Sequence, residues 1–163
     1  LDVGFDLKKL SVADPLEGWA GEAADGGAIA DAFGRAGRAA SERAERIDAV
    51  PGEPDALSSH LDTVEGTAER VGVGLVAVPL VFDRFYLQVV SFFVNEADKA
   101  NADVVRTLRS DASDLDLARD ALAALDESGR GKARDAAVEA ITVVYGEYAS
   151  ALESMGLDPK PVC

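Results

Sequence analysis

His60 and Cys163 are the only histidine and the only cysteine in 163 residues, so group-transfer chemistry has few side chains to draw on. Asp62 and Glu65 follow His60, but the Glu-x-x-His pairs of di-iron bundles are absent. A zinc site would need more nitrogen and sulfur donors than the chain supplies. Ser58 and Ser59 stand directly before His60, and adjacent residues on a helix do not face each other. Nucleophile and base therefore lack mutual reach. Cys163 lies in a tail with Pro159 and Pro161 and cannot form an intrachain disulfide by itself. Asp111, Asp114, Asp116 and Asp120 cluster in DASDLDLARD, without the glycine that an EF-hand places at its sixth position. Acids at a helix start, favoured by the dipole, account for them. Gly72-Val73-Gly74 lacks both the third glycine of a dinucleotide loop and the Lys-Ser/Thr of a P-loop. These two glycines suit a close helix contact or a bend. The expectation is a non-enzymatic protein with no catalytic, cofactor-binding or metal-binding residues.

One polar constellation has regular spacing. Arg84, Gln88, Ser91 and Asn95 follow one another in steps of four, three and four, which places them in one narrow helical stripe. They interrupt the apolar segment 71–94, VGVGLVAVPLVFDRFYLQVVSFFV. Such a helix must be the centre of a bundle, a contact between subunits, or a membrane element. Phe82, Phe85, Tyr86, Phe92 and Phe93 concentrate most of its aromatic area and are the candidate interface. Core packing within one chain is the competing role for the same five. Asp83 and Arg84 cannot pair with each other as helix neighbours, so each needs solvent or a partner on another helix. The segment has the length for a membrane span. Charges near its centre would cost about 2.5–3.5 kcal/mol each, which ranks insertion or docking at a membrane second. A small-ligand cavity lined by Arg84, Gln88 and Ser91 is the third reading.

The elements around this segment are helical in pattern. Pro15, Gly18 and Gly21 argue against a continuous helix near the start, so residues 1–26 read as an arm anchored by Phe5, Leu16 and Trp19. Ile29, Phe33, Ala36, Ala40, Ala44 and Ile47 predict a helix over 28–50, with Arg35, Arg38, Arg43 and Arg46 on its outer side. Pro51-Gly52-Glu53-Pro54 ends it, and Asp55 can cap the next. From there to about Arg109 the pattern reads as one long helix kinked at Pro79, or two collinear ones. A strand over 71–82 competes, because β-branched residues and glycines are dense there. Ser113 and Asp114 open a short helix that Ser128-Gly129-Arg130-Gly131 closes. A last helix spans 132–155 with Ala133, Ala137, Ala140, Val144, Tyr148, Leu152 and Met155 on one face.

Trp19-Ala20-Gly21 resembles the Trp-x-Gly turn of the WXG-type helical hairpins of type VII secretion. That family usually carries an acid four residues after a tail tyrosine, whereas Ala149 and Leu152 stand four after Tyr145 and Tyr148. The chain is not assigned to it.

Composition narrows the partners. Thirty acids against 16 basic residues give a net charge of −14, which leaves no cationic footprint for nucleic acid or anionic lipid. Asp exceeds Glu and Lys is scarce, a composition resembling that of proteins from high salt or another GC-rich source; surface charge then serves solvation, and an acidic face for a basic partner is the alternative. The fold expected is all-α: an antiparallel bundle of four to five helices around a long, kinked, apolar central helix. Its divisions are an arm at 1–26, the bundle at 27–156 and a proline-containing tail at 157–163. The function expected is an interaction or assembly subunit of a surface, pilus, virion or multi-protein complex, partnered by another protein or by its own copies. A surface or virion setting is favoured over the cytoplasm.

Overall fold

The computed structural model describes residues 12–23, 27–47 and 55–156, and among these there is no strand. The expected tail at 157–163 and residues 1–11 lie outside the described residues. The fold is an all-α bundle of helices α1 (Ala13–Glu22), α2 (Ala28–Arg46), α3 (Ala56–Leu61), α4 (Thr67–Asn95), α5 (Lys99–Ala112), α6 (Asp116–Ala123) and α7 (Glu127–Ser154).

The long apolar helix expected from the sequence is α4. Its first turn and its larger second half are α-helical, and Val71–Ala77 between them is a π-helix. The amide of Val78 donates to the carbonyl of Val73, five residues back. Pro79 follows at once. A proline ring normally collides with the carbonyl four residues before it, which here belongs to Leu75 inside the wider turn. The π segment thus lets the helix pass through Pro79 without ending. The dense β-branched residues of 71–82 are helical throughout.

Two glycines explain how the π segment is buried. A Cβ on Gly72 would stand 2.6 Å from the carbonyl carbon of Ala133 on α7, and nearer still to its oxygen. A Cβ on Gly74 would stand 2.7 Å from Leu16 and 2.9 Å from Trp19 on α1. Gly-Val-Gly is therefore a two-sided packing notch, as the close-contact reading expects. Trp19 fills one side of it, with Phe33 edge-on at 5.6 Å and the Arg70 guanidinium 5.4 Å from its ring centre.

Three boundaries differ from the sequence reading. Pro15 does not prevent a helix, because it sits in the first turn of α1, where a missing amide is tolerated. Leu16 and Trp19 bury against the body from there. The run from Leu80 to Arg109 is not collinear. Ala97 takes a left-handed φ of 59°. The amide of Asp98 donates to Phe93 and that of Ala97 to Val94, a Schellman end for α4. Asp98 then accepts from the amide of Asn101 and starts α5, which folds back antiparallel along α4. Asp83 and Arg109 pair across the two helices at 2.8 Å. Finally, Ser128-Gly129-Arg130-Gly131 opens α7 instead of closing α6, because Asp126 caps it by accepting from the amide of Gly129 at 2.6 Å.

α7 runs antiparallel to the stretch from α3 into α4. Ala133 meets Gly72, and fourteen residues on Glu147 accepts from the amide of Ala56 at the start of α3. Its buried face is Ala133, Ala137 and Ala140, with Val144 half-buried.

Candidate interaction surface

The five aromatic candidates divide between core and surface. Phe82, Tyr86 and Phe93 are buried in the chain's own core, and Phe85 is half-buried against it. Phe82 stacks on Tyr86 with ring centres 5.6 Å apart. Phe92 alone is exposed, at 36 %, and meets Phe93 edge-on.

The polar stripe forms as the spacing predicts. Arg84, Gln88, Ser91 and Asn95 are all exposed, so they lie along the outside of α4 and not around an internal cavity. The Ser91 hydroxyl donates back to the carbonyl of Leu87. Leu80, Leu87 and Val94, each seven residues from the next, flank this stripe and are exposed as well. Asp83 turns to Arg109, while Arg84 is exposed, which matches the expectation for that neighbouring pair.

α7 carries the surface that the sequence reading did not isolate. Val138, Ile141, Tyr145, Tyr148, Leu152 and Met155 follow in steps of three, four, three, four and three. Val138 is 59 % and Met155 65 % exposed, and Ile141 and Tyr148 are exposed too. Tyr145 and Leu152 are half-buried. By spacing, Tyr148, Leu152 and Met155 continue the alanine face. That face is covered only as far as about Val144, and the apolar stripe continues past it onto open surface. Strict three-four spacing was the available signal. Thr142, Ala149 and Ala151 beside the stripe carry no charge.

A second feature unread in the sequence is Arg43. It was expected on the outer side of α2, yet it is the buried charged residue of the described core. Its guanidinium lies 3.5 Å from the carbonyl oxygen of Asp111, and Arg46 pairs with the Asp111 carboxylate at 2.6 Å. Two cations thus close the C-terminal end of α5, where the helix dipole favours positive charge. Burial pulls the Arg43 pKa below its ordinary value, opposed by Tyr86 and Asp111. Burial likewise pushes the Tyr86 phenol up, opposed by Arg43 and Arg46. This is a structural clamp between α2, α4 and α5.

The acidic cluster works locally. Asp114 accepts from the amide of Asp116 at the head of α6, Asp116 pairs with Arg119, and Asp111 serves Arg46. His60 lies half-buried at the end of α3. Among the described residues no group of three or more His, Cys, Asp or Glu is placed to hold a metal ion. α4 is long and apolar enough to cross a membrane by length and composition, and half of its most apolar stretch is buried within the fold. Compared with known proteins, the chain matches no family model, no curated protein and no solved structure.

Proposed function

We propose that this protein is a non-enzymatic helical interaction or assembly subunit that binds through uncharged helix faces left on its outside. The observation that supports this is the arrangement of its exposed large apolar side chains. Single exposed apolar residues are ordinary, but continuous apolar stripes mark contact sites. Here Val138, Ile141, Tyr148 and Met155 on α7 belong to one such stripe, and Leu80, Leu87 and Val94 on α4 form a row beside the polar one. From the Gly72–Ala133 contact the two run in opposite directions, because α7 is antiparallel to the chain that enters α4. A chain of net charge −14 that keeps two such strips uncharged, apart from Arg84, has surfaces suited to a partner.

The test is mass by light scattering after size exclusion, at low and molar salt, with and without mild detergent. A defined oligomer without detergent is the expected result. A monodisperse monomer under all conditions would oppose it. Aggregation relieved only by detergent would transfer support to a membrane-docked subunit using α4, the reading that its length and apolar character favour next.

A further inference from the structure

We propose that the partner of the α7 stripe is a second copy of this chain, its α7 paired antiparallel with the first across a two-fold axis. The inference rests on the interaction reading and names its partner.

Steps of three and four sustained over 18 residues give the 3.5-residue period at which two helices keep one seam in contact. A two-fold interface must also be complementary to itself. The seam is symmetric about the point between Gly146 and Glu147. Antiparallel pairing there sets Val138 against Met155, Ile141 against Leu152, and Tyr145 against Tyr148 of the other copy. Each layer then joins one residue followed by a step of three to one followed by a step of four, the arrangement in which side chains interlock.

Charge selects this pairing. Two molecules of net charge −14 repel over most of their surface, so contact requires a strip without acids. Thr142, Ala149 and Ala151, at the edges of the seam, meet that need and are small enough for close approach. Parallel pairing would align Glu139, Glu147 and Glu153 each with its own copy. Antiparallel pairing sets them level with Ser154, Gly146 and Ala140, and opposes the two helix dipoles favourably. The seam is short, about 27 Å at 1.5 Å per residue, so the dimer forms and dissociates with concentration.

The test uses the full chain in a Cys163→Ser background. Val138→Cys and Met155→Cys proteins are oxidised mildly, separately and mixed, with thermal unfolding as the folding control. Cross-linking should be much faster in the mixture than in either protein alone. Equal cross-linking of Val138→Cys with itself would overturn the antiparallel arrangement. Tyr148→Glu supplies the second arm. It should weaken self-association by about tenfold or more, as expected when a charge enters an apolar contact, with the monomer's melting point unchanged. An oligomer whose mass ignores Tyr148→Glu and which gives no mixed cross-link would overturn this pairing while leaving the assembly reading in place. A chain monomeric at every concentration would remove the second copy as partner.

Discussion

Gly72 and Ala133 touch backbone to backbone: a Cβ added to Gly72 would stand 2.6 Å from the carbonyl carbon of Ala133. The contact leaves no room for a side chain between α4 and α7 at this point. Replacing Gly72 with alanine pushes a methyl group into main chain that cannot rotate away. Gly72→Ala is predicted to destabilise by about 3 kcal/mol, the upper part of the overpacking range. Gly131, also on α7, has open space where its Cβ would be. Gly131→Ala should instead stabilise by about 0.5–1 kcal/mol through helix propensity. Urea unfolding midpoints of the two variants check both signs.

Ala97 offers a stabilising substitution. Its φ of 59° at the Schellman end of α4 suits glycine better than any residue with a Cβ. Ala97→Gly is expected to raise stability by about 1 kcal/mol, the cost of the left-handed conformation for alanine. A thermal midpoint below that of the parent would refute the assignment of this turn.

Adjacent phenylalanines should respond oppositely. Phe93 is buried, and Phe93→Ala should cost about 3–5 kcal/mol. Phe92 is exposed, and Phe92→Ala should cost about 1 kcal/mol or less. Denaturant titration separates them, and equal losses would place Phe92 in the core.

Alkaline pH gives a fourth prediction. Burial raises the folded pKa of Tyr86 above its ordinary 10.0. Between the unfolded and folded values the native state holds more protons, so stability falls as pH rises past the ordinary tyrosine range. Below that range the phenol is neutral in both states and contributes no slope. Tyr86→Phe should flatten the alkaline decline, measured as unfolding free energy at pH 8 and in steps above 10. An unchanged slope would assign the decline to other groups.

Period and capping made much of this legible in advance. The start and buried face of α2, the Asp55 cap, the apolar run through 71–94 and its stripe from Arg84 to Asn95 all follow from side-chain spacing, whereas α2 ends at Arg46 and the expected stop at 51–54 lies outside the described residues. What failed was local punctuation whose effect depends on its register. Pro15 is harmless in a first turn, and Gly129 opens a helix once Asp126 caps it. Ala97 ends α4 although it is not glycine, because the Schellman bonds and the Asp98 cap secure a conformation that alanine disfavours. Pro79 signals a kink in the sequence but gives no hint of the π turn that accommodates it. Arg43 was misplaced because three-four spacing cannot say which carbonyls a neighbouring helix brings near. The α7 stripe was hidden for a related reason. Alanines and larger apolar residues share adjoining faces, and only the packed structure shows where coverage stops.

Hydrogen exchange at two protein concentrations about a hundredfold apart tests the central claim, association through outer helix faces around an intact core. Dilution is predicted to speed exchange of the amides in 138–155 and to leave those of Val71–Ala77 unchanged, because monomers keep the Gly72–Ala133 contact and lose only the seam. Exchange that is independent of concentration along the whole chain would contradict that claim, as would loss of protection centred on Val71–Ala77.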